Sequence, residues 1–146
     1  MQIETKIEIA ASPKIVWQIL TQYEAHPSWN PFIRSISGDK HEGGKIQVHL
    51  GPPGTKGMQF KPRILVWNAH REFRWLGHLL IRGLFDGEHY FIIEENGANH
   101  STLTHGEKFS GILVPLFKQN LLGPTLEGFK QMNIALKKEA EKNLNQ

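Results

Sequence analysis

Residues 10–33, AASPKIVWQILTQYEAHPSWNPFI, hold the punctuation from which the rest of the chain can be read. Ser12 followed by Pro13 is a helix start: the serine accepts from amides that lack an intrahelical partner, and proline in the first helical position gives up no needed donor. Ile15, Val16, Ile19 and Leu20 recur at helical spacing and predict a helix from 13 to about 20. Tyr23 to Trp29 has room for one more short turn before Pro31, because the residue preceding a proline is pushed toward extended geometry. Trp29 thus sits between two prolines, a large apolar side chain on what reads as a connection.

Upstream, Ile3, Thr5, Ile7 and Ile9 alternate with Gln2, Glu4, Lys6 and Glu8, the period of a strand with one buried face. Downstream, Gly43-Gly44, Gly51-Pro52-Pro53-Gly54 and Asn96-Gly97 punctuate a run of strands near 32–39, 45–50, 57–67, 71–80, 85–95 and 100–110. Strands joined by short turns imply an antiparallel meander. In the last segment Phe117, Leu121, Leu122, Leu126, Phe129, Met132, Leu136 and Ala140 form the apolar stripe of a long amphipathic helix. Gly123-Pro124 within it predicts a kink or a break, or a helix that begins only at Pro124.

The chain has 146 residues, 39% of them apolar, which suits a single domain over 1–146 with one core. It has no cysteine, which excludes disulfides, thiolate metal sites and cysteine nucleophiles. The opening MQIETKIEIA lacks a basic start and a continuous apolar run, and no stretch approaches the roughly 20 apolar residues of a membrane span, so a soluble, cytoplasmic protein is expected. A net charge of +3, spread rather than clustered, argues against a nucleic-acid partner.

Three segments carry a family resemblance: residues 10–33 quoted above, GLFDGEHYFIIEE (83–95) and THGEKFSGILVPL (104–116). With them the chain, over nearly its full length, resembles the SRPBCC superfamily, which includes START lipid-transfer domains, birch-pollen-allergen-like proteins and the polyketide cyclase/dehydrase group. The resemblance implies an α+β helix-grip fold: a seven-stranded antiparallel sheet wrapped around a long C-terminal helix, with two short helices after the first strand. It also implies a cavity between sheet and helix for an apolar small molecule. This fold hosts many unrelated activities, so the ligand stays open.

Period 2 assigns the faces. Met58, Phe60, Ile64 and Val66 share one side of their strand, with Gln59, Lys61 and Arg63 opposite; Phe73, Trp75 and Leu79 oppose Glu72, Arg74 and His78. His89, Phe91 and Ile93 share a side, as do Leu103, His105, Glu107 and Phe109, so two histidines and a carboxylate join the apolar face. Buried ionisable groups cost several kcal/mol in order of magnitude unless paired or neutralised. They read either as a structural hydrogen-bond network or as a polar patch that orients a ligand or moves a proton, with His105, Glu107 and His89 as the candidate catalytic groups. The candidate ligand-binding residues are Trp29, Phe32, Met58, Phe60, Trp75, His89, Phe91, His105, Phe109, Phe117 and Leu121. Trp29 and Phe32 read as a rigid lid over the cavity mouth, or Trp29 alone as a plug of the core under a loop, and the 51–57 turn is a second entrance candidate. No metal or cofactor is expected; a His/His/Glu set resembles a facial triad, but i, i+2 is a common strand spacing. Three functions follow: a carrier of a lipid, quinone or aromatic metabolite; a cyclase or dehydratase using those acid–base groups; or a cochaperone-like interaction module. Stable membrane insertion is not expected, and oligomeric state is left open.

Overall fold

In the computed structural model, which describes residues 1–79 and 81–142 apart from the side chains of Asn120 and Leu121, the Ser12–Pro13 start forms as the pattern predicts. The Ser12 hydroxyl accepts from the Ile15 amide at 3.4 Å, and helix α1 runs Pro13–Thr21, burying Val16, Trp17 and Leu20. A 3-10 turn, Tyr23–Ala25, and a short helix α2, His26–Trp29, follow before β2 begins at Ile33.

Eight strands are formed among the described residues, in two antiparallel sheets rather than the single seven-stranded sheet expected. The larger has the order β1 (Gln2–Ile9), β8 (Ser101–Ser110), β7 (Phe85–Glu95), β6 (Glu72–Leu79) and β5 (Arg63–Asn68). The smaller joins β2 (Ile33–Gly38), β3 (Ile46–Leu50) and β4 (Met58–Phe60). The extra strand arises where the expected 57–67 strand is cut into β4 and β5 by Lys61-Pro62. Proline has no amide hydrogen for the ladder and a fixed φ, so pairing stops there. The sheets still touch: Lys45 bridges Arg63, and the Ile46 amide donates to the Pro62 carbonyl at 3.0 Å.

A second departure lies inside β5. The pairing steps from Ile64↔Trp75 to Val66↔Arg74, leaving Leu65 as an extra residue. Such a bulge reverses the alternation, so Trp67, not Val66, joins the inner face opposite Phe73. Trp67 packs edge-on against Trp17 at 5.1 Å and Phe73 at 5.0 Å, closing one end of the core with an aromatic cluster.

Helix α3 spans Val114–Glu141 and continues through Pro124, so the expected break does not occur and the helix starts ten residues earlier than Pro124. Its inner stripe is Phe129, Met132, Leu136 and Ala140, all buried against β1, β8 and α1. Gly128 is part of that contact: a Cβ there would lie 2.6 Å from the Phe32 ring, so only glycine lets Phe32 press onto the helix backbone without displacement. No described helix is long and apolar enough to cross a membrane.

Candidate functional site

Two glycines open the site. Gly77 of β6 and Gly87 of β7 pair directly across the sheet, at the inner-face parity of Trp75 and His89. A glycine inside a strand leaves its patch of the pleated surface uncovered. Over this bare patch lies a partly open cleft of about 510 Å³, closed on its far side by β4, the Gly51–Gly57 turn and Pro124–Thr125 of α3. Its wall is largely apolar: of the residues expected to meet a ligand, Phe32, Met58, Phe60, Trp75 and Phe109 line it, and Glu107 brings a carboxylate into it. Gly77, Gly87, Leu50, Phe85 and Pro124 also line it, none of them among the expected contacts, although the strand parity of the two glycines is a signal readable in the sequence.

The other expected ligand contacts do not reach this wall. Phe91, His89 and His105 are fully buried behind it. Phe117 is 40% exposed and packs edge-on to Phe85 at 5.8 Å, beside the cleft rather than in it. Leu121 lies outside the described side chains. Trp29 does not cap the mouth: it turns onto the His26 ring at 4.9 Å and packs on the core, with its buried indole N–H unpartnered among the described residues. Phe32 is not a lid either but a buried part of the cleft wall, edge-on to Phe129 at 5.2 Å.

Phe32 is placed by two residues that sequence reasoning did not single out. His26 Nε2 donates to the Leu20 carbonyl at 2.7 Å, and its Nδ1 accepts from Asn30 Nδ2 at 3.0 Å. Asn30 Oδ1 in turn accepts from the amides of Phe32 and Ile33, both at 2.9 Å. Burial holds the His26 imidazole below its ordinary value, which suits the neutral tautomer this arrangement needs.

Behind the wall the two histidines and Glu107 form a chain, each bonded to the next, with protons whose direction can be worked out from its closed end. The Thr5 hydroxyl faces the His105 carbonyl at 2.9 Å, and a carbonyl only accepts, so the hydroxyl proton points there. Thr5 Oγ1 is then free to accept from Asn133 Nδ2 at 2.7 Å, which leaves Asn133 Oδ1 to accept from His105 Nδ1 at 2.8 Å. His105 is fully buried, and burial, followed by the neighbouring His89, holds its imidazole well below the ordinary value. It is therefore neutral, with its one proton on Nδ1, and its Nε2 must accept. His89 Nε2 supplies that proton across 2.7 Å. What remains is His89 Nδ1 against Glu107 Oε1 at 2.6 Å, a contact that needs one proton between the two atoms. The chain thus has a fixed polarity and ends at the cleft, where the Glu107 side chain is 15% exposed. Asn133 and Thr5, which no sequence pattern tied to the histidines, set the tautomer of both.

The model of one protein family, described as polyketide cyclase / dehydrase and lipid transport, matches residues 1–144. The chain belongs to that family. No curated protein matches it by sequence. Among solved structures, a START superfamily protein from Mycobacterium smegmatis is similar with a TM-score of 0.74 at 19% identity, covering 97% of this chain and 97% of that one. A point mutant of norcoclaurine synthase from Thalictrum, solved with a transition-state analogue, superposes with a TM-score of 0.72 at 14% identity over 99% of this chain and 96% of its own. A hypothetical protein from Helicobacter pylori reaches 0.78 at 11% identity, over 96% and 88%. At these identities the family's structural relatives attest the fold and nothing about a shared ligand.

Proposed function

We propose that the protein is a one-domain cytoplasmic carrier of a hydrophobic small molecule, a lipid, quinone or aromatic metabolite, held in the cleft over Gly77 and Gly87. The observation that carries this reading is the apolar cleft itself. Its volume of about 510 Å³ falls in the range of roughly 300–1,000 Å³ typical of small-molecule sites. The cleft combines aromatic walls with very few polar groups, the usual composition of such a site. Phe32, Met58, Phe60, Trp75 and Phe109 would make the apolar contacts and Glu107 the polar one. Native mass spectrometry of protein purified from its own host tests this. A co-purifying lipophilic mass that disappears in a cleft-filling variant supports it; an apo mass, together with failure to take up any apolar probe, sinks it.

A second reading, a cyclase- or dehydratase-like enzyme, is favoured by one observation: the only end of the histidine chain that reaches the cleft is an acid–base group. Glu107 would remove a proton from carbon next to a ligand carbonyl and return it, with His89 positioning the carboxyl and the apolar wall excluding water. His105 would act only through His89, because both its nitrogens are engaged inside the core. Protein-dependent exchange of the α-hydrogens of 2-tetralone in heavy water, lost in Glu107→Gln, is the expected result; exchange no faster than in buffer removes this reading and leaves the carrier.

A further inference from the structure

The histidine chain leaves one oxygen over. Glu107 Oε1 is engaged by His89 at 2.6 Å, whereas Oε2 has no hydrogen-bond partner among the described residues. Oε2 is not sealed in the core, since Glu107 lines the cleft, and it lies where a Cβ on Gly87 would approach to 3.2 Å. The proton between Glu107 and His89 can sit on either atom. With the proton on His89, the carboxylate offers Oε2 as an acceptor. With it on Oε1, where it donates to His89 Nδ1, Oε2 is a carbonyl-type oxygen and again an acceptor. In neither placement does Glu107 have a proton to give to the cleft. Lys56, the other charged residue of the lining, stands on the exposed turn at the rim.

We infer that Glu107 Oε2 is the polar anchor of the cleft and makes it selective for apolar molecules that carry a hydroxyl group, phenols or alcohols, over ethers, esters and ketones of the same shape. This rests on the cleft being a ligand site. An acceptor held in an apolar wall rewards a ligand that donates to it, and stays unpaired beside one that cannot. Gly87 is the specificity-determining neighbour: its missing side chain is what gives a ligand hydroxyl access to Oε2. Asn133 and His105 are positioning residues, because they hold the His89 proton on Nε2 and so aim the Glu107 proton inward, away from the ligand.

Titration calorimetry near pH 7 with 2-naphthol and 2-methoxynaphthalene, which differ by one donor, tests this on the whole protein. Wild type is expected to bind the naphthol more tightly by about tenfold or more, the size of one hydrogen bond to an acidic group. Glu107→Leu is expected to bind both alike, and Glu107→Gln to restore the preference, since its amide can donate to His89 Nδ1 and present its oxygen to the cleft. Should Glu107→Leu not fold, Gly87→Ala takes its place: its methyl, crowding Oε2, is expected to weaken naphthol binding more than methoxynaphthalene binding, so that the preference falls. Equal binding of the two probes by wild type overturns the inference and leaves the carrier reading intact, as does a preference that survives both Glu107→Leu and Gly87→Ala. Binding of neither probe removes the cleft reading and this one together.

Discussion

The polarity of the histidine chain depends on the bond between His105 and Asn133, and a double-mutant cycle can isolate it. Asn133→Leu leaves the His105 Nδ1–H without an acceptor in a fully buried position; His105→Phe keeps the ring packing on Phe91 at 4.5 Å and Phe129 at 4.1 Å but strands Asn133 Oδ1. Each single variant therefore carries an orphaned buried polar atom costing about 1–3 kcal/mol, offset in part by apolar surface gained. The double variant carries neither orphan. The His89 Nε2–H that loses its acceptor in His105→Phe is equally stranded in the double, so its cost cancels. The double is expected to be more stable than the summed singles by about 1–3 kcal/mol, the usual span for bonded buried pairs. Urea unfolding followed by tryptophan fluorescence reads this: with m near 1–3 kcal/mol/M for a domain of this size, each orphan moves the midpoint by roughly 1 M. Additivity within about 0.5 kcal/mol would mean that the two side chains are not bonded, and the tautomer assignment for His89 and Glu107 would fall with it.

Acid should destabilise the fold. His26 and His105 take their protons near pH 6.5 when unfolded and only at lower pH when folded, chiefly because both are buried. Below pH 6.5 the unfolded chain therefore binds more protons, and the stabilisation present above that value is lost progressively as the pH falls toward the depressed folded values. Urea midpoints at pH 7.5 and 5 check this, with a shallower decline expected for the His105→Phe/Asn133→Leu double variant and an unchanged decline refuting it. Gly77→Val should fill the cleft: its Cβ meets nothing nearer than Pro62 at 3.8 Å, so probe affinity is expected to drop more than about tenfold while stability is kept or rises by roughly 0.5–1 kcal/mol. Retained affinity would place the ligand elsewhere. Trp29→Phe removes a buried, unpartnered N–H and is expected to be neutral or stabilising by about 1 kcal/mol; a loss above that would show that the indole nitrogen has a partner, such as a bound water.

Much of this architecture could be read from residue pattern. Parity put His89, His105 and Glu107 on one face, and the register His89↔Glu107 and Phe91↔His105 places them there as neighbours. Parity failed at β5, where Leu65 bulges, because nothing in RILVWN marks which residue goes unpaired. It failed again at Pro62, whose missing amide hydrogen splits the expected 57–67 strand into β4 and β5. Asn133 sat unnoticed between Met132 and Leu136 because a helical stripe is judged by its apolar members. Its meaning came only from a histidine 28 positions away.

Which side chains turn inward was legible in the sequence wherever a strand runs unbroken, because backbone alternation is a local property; it was lost only at the Leu65 bulge and at Pro62. Which of them bond, and where the interior stays hollow, was decided only by tertiary structure. A hydrogen bond from β8 to α3, or the clearance above two facing glycines, depends on separations of a few tenths of an ångström between segments far apart in the chain. No local pattern encodes a distance of that kind.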